Sequence, residues 1–349
     1  MLNDDQVRKA LQTVAHPRLK KSLVDIGMIR NIIIKGDTVT ITLGMKSERS
    51  PLKSVLVADI ERAVGSLPGV AAVRVETVTL SREEAERMFP RAPLRGIAKV
   101  KHFLAVASGK GGVGKTTIAV NVALALARQG HRVGLLDVDV YGPSVPLMLG
   151  ITDALDQRDG MIVPVEKYGL RVVSMGMIGG QDEAFIWRGP LVAKMVNQLL
   201  DQVNWGELDY LVFDLPPGTG DPSIAIAQAI PDCAILMVTT PQEVALADVR
   251  RSINLFHKTG RTIIGLVENM SYFLCGHSAQ PIEIFGRGGG EQLSRETGLP
   301  LLGAVPLDLD LRQGGDSGVP LLVSAPDSPT GTLFQEIARK ISQAMRDHE

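Results

Sequence analysis

Cysteine is nearly missing from this chain: its 349 residues contain two, Cys233 and Cys275. Two thiols cannot build the disulfide framework of a small secreted domain, and so low a count fits a reducing compartment. Aromatic side chains are scarce as well, at 4%, so the core must be aliphatic. No excess of either charge is present: 37 Lys and Arg face 38 Asp and Glu, for a net charge of −1. Such a balance lacks the broad basic footprint of a nucleic-acid-binding protein. No uncharged apolar run reaches membrane-spanning length, and the opening MLNDDQVRKALQ carries acids where a signal peptide carries a basic then an apolar segment. The expectation is a cytoplasmic protein with neither nucleic acid nor membrane as partner.

What is present is 45% apolar residues, 21% charged residues and 36 glycines, the composition of a turn-rich α/β globule. The length exceeds one average domain. Val7, Ala10, Leu11 and Val14 recur at helical spacing. Apolar stretches at 32–34 and 39–43 then flank a Lys35-Gly36-Asp37 turn, which predicts a hairpin. Leu52, Val55, Leu56, Ile60, Val64 and Leu67 suit one helix face, and after Pro68-Gly69 the alternation of Val73, Val75 and Val78 suits a strand. A small α+β domain is therefore expected over 1–80. The charged stretch 81–101, with Pro90, Pro93 and Gly96 and no apolar period, reads as a linker. From 102 to 349 short apolar runs at 103–107, 133–136, 170–173, 210–213, 234–238 and 263–267 alternate with helical patterns. That alternation predicts repeated βαβ units and a mostly parallel sheet flanked by helices. Leu333, Ile337 and Ile341, with Ala344 and Met345 nearby, mark a closing amphipathic helix whose polar face is mixed in charge, which suits packing on the sheet.

The run at 103–107 leads into Gly109, Lys110, Gly111, Gly112, Val113, Gly114, Lys115, Thr116 and Thr117, followed by a helical pattern. Two glycines with four residues between them, then Lys and Thr, in a strand-to-helix setting, form a phosphate-binding P-loop. Glycines let backbone N–H groups curl around phosphate oxygens, and the helix N-terminus adds partial positive charge. Lys115 is expected on the β and γ phosphates and Thr116 on Mg²⁺. Two further strands end in carboxylates. The 133–136 run leads to Asp137 and Asp139, with Asp139 a candidate for orienting the attacking water and Asp137 nearer the metal. The 210–213 run ends at Asp214, a candidate Walker B ligand to Mg²⁺ through water, ahead of a Gly218 to Gly220 segment able to sense the γ-phosphate.

These residues, together with Asp137-x-Asp-x-Tyr-Gly-Pro-Ser-x-Pro146, Trp187-Arg-Gly-Pro190, the Asp214 to Asp221 segment and Glu268-Asn-Met-Ser-Tyr272, resemble the Mrp family. Mrp ATPases belong to the deviant-Walker MinD and ParA class and are regarded as iron–sulfur cluster carriers. Residues 23–30 and 67–70 are similar to the small domain often fused ahead of them, so the likeness covers nearly the whole chain. The resemblance implies an ATP-hydrolysing homodimer in which Lys110 reaches the phosphates of the partner subunit. It also implies that Asn269 reads adenine, that Pro306 to Asp308 close the other side of the base, and that clusters are passed to apoprotein clients or assembly factors.

One departure bears on the cargo. Mrp carriers follow the Glu-Asn-Met-Ser segment with Cys-x-x-Cys, so that two subunits supply the four thiolates of a [4Fe-4S] cluster. Here the segment reads Cys275-Gly-His277-Ser278, and a serine hydroxyl is a poor substitute for a thiolate. Ser50-Pro51 likewise stands where many relatives carry Cys-Pro. Three readings of Cys275 stand open: half of a site completed by His277, a two-cysteine bridge for a labile cluster, or a buried remnant. Cys233, within an apolar run, reads as core. The leading expectation is an iron–sulfur cluster carrier, and the alternative is a cluster-free ATP-switched adaptor.

Overall fold

A computed structural model describes residues 2–347 apart from 18, 46–49, 51, 90–93, 141, 179–188, 219, 231 and 275–279. The chain forms two compact units, 1–93 and 94–349. In the first, helix α1 (Asp4–Leu11) starts at Asn3, whose side chain accepts from the Gln6 N–H while the Gln6 side chain accepts from Asn3, and it buries Val7 and Leu11. Strands β1 (Ile29–Lys35) and β2 (Thr38–Met45) make the expected hairpin, Ile34 opposite Val39. Helix α2 (Lys53–Gly65) buries Leu56, Ile60 and Val64, and β3 (Ala72–Thr79) adds parallel to β2. The stretch expected as a linker contains a helix, α3 (Arg82–Met88). Ser81 and Glu84 cap it reciprocally, with bonds of 2.9 and 3.2 Å. Two capped N–H groups favour one short helix that is too brief for an apolar period to reveal.

The second unit opens with β4 (Val100–Ser108), α4 (Lys115–Arg128), β5 (Val133–Asp137) and a short α5 (Val145–Met148). Short strands β6 (Asp156–Arg158), β7 (Met161–Val163) and β8 (Val165–Lys167) lead to β9 (Leu170–Ser174). Then come α6 (Gly189–Gln202), β10 (Leu208–Asp214), α7 (Asp221–Ala229), β11 (Ala234–Thr239), α8 (Glu243–Lys258) and β12 (Ile263–Glu268). A two-stranded excursion, β13 (Phe273–Leu274) with β14 (Pro281–Ile282), precedes α9 (Gly289–Thr297) and β15 (Leu301–Ala304). Helices α10 (Leu309–Ser317), α11 (Leu321–Ser324) and α12 (Pro329–Arg346) close the chain.

The main sheet runs β15-β12-β11-β4-β10-β5-β9-β8, parallel except for the β8 edge. Alternation along β4 sends Leu104 and Val106 to the face covered by α4 and α12, through Ile118, Val122, Phe334 and Ile337. Phe103, Ala105 and Ala107 meet the other face, where Val192, Val196, Val249 and Ile253 pack. Each fully buried aliphatic side chain there contributes roughly 1.5–3 kcal/mol. Because the strands are parallel, Ser108, Asp137, Asp214, Thr239 and Glu268 all finish at one edge, the carboxyl edge where open α/β sheets bind ligands. Among the described residues no helix is long and apolar enough to cross a membrane.

Candidate functional site

The loop 109–114 joins β4 to α4 with Gly112 at φ 80° and Gly114 at φ 78°, values natural only to glycine. Space imposes the same choice. A Cβ on Gly109 would lie 2.5 Å from the backbone of Asp248 and Val249, and one on Gly114 would lie 2.2 Å from Asn269 Nδ2. The Ser108 hydroxyl donates to the Lys110 carbonyl at 3.0 Å, fixing the turn from behind. Lys110 itself is half-buried.

Lys115 and Thr116 open α4, so both side chains rise at the loop. Lys115 Nζ lies 2.5 Å from Asp214 Oδ1 and 3.7 Å from Asp139 Oδ2, while Thr116 Oγ1 donates to Asp214 Oδ2 at 2.6 Å. Asp214 is fully buried, Lys115 is 6% exposed and Asp139 8%. Sequence reasoning named all four, and the fold gathers them around one carboxylate. Burial pushes the Asp214 carboxyl above the usual range, with the Lys115 ammonium opposing the shift. Downstream, the Gly218 N–H donates to the Ser108 carbonyl at 3.0 Å, so the segment after Asp214 folds back over the loop.

Asp137, expected nearer the metal, is engaged by three protein donors. Its carboxylate accepts from the Ser174 hydroxyl at 2.9 Å, the Asp139 N–H at 3.0 Å and the Val145 N–H at 3.3 Å. It has no exposed surface. Burial, reinforced by the Asp214 charge, pushes its pKa up to about 7. The side chain thus holds both ends of the segment that carries Asp139. Ser174 was not singled out in the sequence. Its one signal is a polar residue ending the 170–173 run, beside the end of β5.

Asn269, buried to 4% exposure, donates from Nδ2 to the Val113 carbonyl at 2.9 Å, so it supports the P-loop from the side. Its neighbour Glu268 is 2% exposed and accepts from the Ser271 hydroxyl and, at 2.5 Å, from the Gly290 N–H. Glu268 was read only as part of a motif. Asp308 caps α10, accepting from the Asp310 and Leu311 N–H groups. Cys275, His277 and Ser278 lie outside the described residues, as do Tyr141, Trp187 and Thr219. Cys233 lies in the core, its thiol pushed up to about 12 by burial.

Residues 99–342 match the family model described as NUBPL iron-transfer P-loop NTPase, and residues 4–76 match that of an iron-sulfur cluster assembly protein. The chain is 45% identical to an iron-sulfur cluster carrier protein of Synechocystis over 348 residues, 98% of each chain. Among solved structures it is similar to a nucleotide-binding protein of Archaeoglobus fulgidus in complex with ADP. There the TM-score is 0.57 and the identity 36%, over 64% of this chain and 88% of the other. The septum site-determining protein MinD of Pyrococcus horikoshii, complexed with Mg-ADP, shares the fold at TM-score 0.53 and 22% identity, over 71% and 99% of the two chains.

Proposed function

Since the chain belongs to the NUBPL-type family of iron-transfer P-loop NTPases, we propose that it is an ATP-binding, ATP-hydrolysing homodimer that carries iron–sulfur clusters to apoprotein clients or assembly factors. The observation that carries the nucleotide half is the meeting of Lys115 and Thr116 on the buried Asp214 at the mouth of a P-loop. A lysine held at 2.5 Å by a buried carboxylate, with a second carboxylate at 3.7 Å, is poised to exchange them for phosphate. The cargo half rests on relatives matched over 98% and 95% of their own length and named for that activity. The same match disfavours the cluster-free adaptor.

The Thr116 hydroxyl and Asp214 carboxylate, hard oxygen donors 2.6 Å apart, suit Mg²⁺. When bound, the cation supplies charge neutralisation on the phosphates. Gly109, Gly111, Gly112, Val113, Gly114 and Thr117 offer the backbone cradle, with Asn269 at the side of the base. Asp139, 3.7 Å from Lys115 Nζ, is assigned the orienting of the attacking water, a role its contact with the phosphate-binding lysine supports. Lys110 acts in trans, as an arginine finger does, on the nucleotide of the partner subunit. Cys275 from each subunit holds the cargo cluster. The working boundaries are a small domain over 1–80 and the ATPase over 102–349, with the 81–101 stretch between them carrying α3 and the start of β4, and the working compartment is the cytoplasm.

Anaerobic reconstitution with iron and sulfide tests the carrier reading. Iron and sulfide retained per dimer with a visible charge-transfer band, and lost in Cys275→Ala, is the expected result. No cluster above the level of that variant, in a protein that still binds ATP, overturns it.

A further inference from the structure

At the end of strand β12 two neighbours, Glu268 and Asn269, face different partners. Asn269 bonds the Val113 carbonyl inside the P-loop, and its own N–H donates to Thr239 at 2.8 Å. Glu268 points the other way, each carboxylate oxygen on a different element: Oε1 takes the Ser271 hydroxyl and Oε2 takes the Gly290 N–H. Between Asn269 and Ser271 the chain turns through Met270 at φ 54°, a left-handed conformation costly for a side chain of that size.

Ser271 and Gly290 are the two feet of one excursion. From Ser271 the chain enters β13, crosses the segment containing Cys275, returns along β14 and reaches Gly290 in the first turn of α9. A single buried carboxylate therefore pins both feet. The approach is close: a Cβ on Gly290 would lie 3.0 Å from Glu268 Cβ. Further bonds brace the root, Val305 N–H to the Glu268 carbonyl at 2.7 Å and Ser271 N–H to the Val305 carbonyl at 2.9 Å.

We propose that Glu268 is a positioning residue that couples the nucleotide loop, through Asn269, to the hairpin of β13 and β14. The inference rests on the cluster-carrier reading for what the hairpin is for, not for its mechanics. The coupling requires that phosphate binding shift the Val113 peptide, whose carbonyl Asn269 holds at 2.9 Å. The adjoining Glu268 transmits that movement to both feet at once. Two donors face the carboxylate, so alanine abolishes the clamp. Glutamine keeps it, because its amide oxygen accepts from Gly290 and its NH₂ donates to the Ser271 hydroxyl.

Hydrogen–deuterium exchange of the full-length, iron-free protein tests this, comparing Mg-ADP with a non-hydrolysable ATP analogue. In the wild type, amide exchange over 273–284 should differ between the two states by roughly fivefold or more, the lower range of allosteric coupling. Glu268→Ala and the milder Ser271→Ala should bring that difference below about twofold, Glu268→Gln should retain it, and nucleotide affinity should stay within about threefold in all. Ser271→Ala removes only a hydroxyl, so it decides the matter should Glu268→Ala fail to fold. A wild-type difference that persists undiminished in Ser271→Ala, or no wild-type difference, overturns the proposal. Because the assay contains no iron, failure to bind a cluster sinks the carrier reading alone, whereas lost coupling in a cluster-binding protein sinks only this one.

Discussion

Strand β10 carries an aspartate near each end, and the two could hardly differ more. At the amino end Asp209 accepts from the Arg132 backbone N–H at 2.9 Å and from its guanidinium at 3.3 Å, with Lys101 Nζ at 2.9 Å. These bonds, the Arg132 side chain first, hold its carboxyl well below the usual carboxylate range. At the other end Asp214 is fully buried, and burial raises it despite Lys115. Asp137, beside it in register, is raised too. One end of the sheet is charge-satisfied in water. The other concentrates acids and one ammonium out of water, an arrangement that costs stability and marks a functional site.

If the carboxyl-edge groups are merely structural, their removal leaves turnover intact. Lys110→Ala offers the sharpest test, because Lys110 is half-buried at the loop and outside the buried cluster around Asp214. A trans-acting cation is worth about 10³-fold or more in turnover. Steady-state ATP hydrolysis should therefore fall by that order while ATP affinity stays close to wild type. Unchanged turnover would remove Lys110 from the mechanism. Lys115→Ala is the poorer probe, since stripping the ammonium from a buried carboxylate costs about 3–5 kcal/mol of stability by itself.

Ser174→Ala should come next in size. It deletes one of three donors to Asp137, a buried hydrogen bond worth about 0.5–1.5 kcal/mol. If that bond steadies Asp139 through its neighbour, kcat drops roughly tenfold with KM for ATP nearly unchanged, and Ser174→Thr recovers most of the loss. A change in KM alone would mean the contact serves binding instead.

The two ends also separate along the pH axis in nucleotide-free, Mg-free protein. Asp137 binds its proton up to about 7 in the fold, against an ordinary 3.8. The folded chain thus holds more protons between those values, and its stability drains as pH rises from about 4 to 7, by at most about 1.4 kcal/mol per unit. Asp214 is shifted in the same direction and adds to this. Asp209 behaves oppositely: its contribution is present above the ordinary carboxylate pKa and is lost as pH falls below it. Chemical denaturation at pH 5, 6, 7 and 8 should show falling stability. A rise across that window would contradict the assignment at the carboxyl edge.

How much of this was legible in the sequence depends on the range of the contact. The P-loop, the strands ending in Asp137 and Asp214 and the hairpin at 32–43 are written in local spacing, and β4, β5, β10 and α4 formed as the apolar pattern predicts. Helix α3 escaped because seven residues leave no room for a period; only the Ser81 and Glu84 capping pair announced it. Strand β15, four residues long, escaped for the same reason. Ser174 and Glu268 were illegible in another way. Each is bonded to a partner 37 or 22 residues distant in the chain, Glu268 in addition to its near neighbour Ser271, and nothing local distinguishes a polar strand end that makes such a distant bond from one that meets water.

The smallest expected effect lies at the satisfied end, where Asp209→Asn serves as the control for all the others. The Asp209 side chain is 18% exposed and Arg132 48%, so their attraction is screened and the loss should be about 1 kcal/mol or less. Asparagine still accepts from the Arg132 N–H through its Oδ1. Added salt should shrink the loss further, and neither hydrolysis nor the nucleotide dependence of the β13–β14 exchange should move. A large fall in turnover from this variant would mean the two ends of β10 are mechanically coupled through the strand. The contrast drawn between them would then describe one extended site.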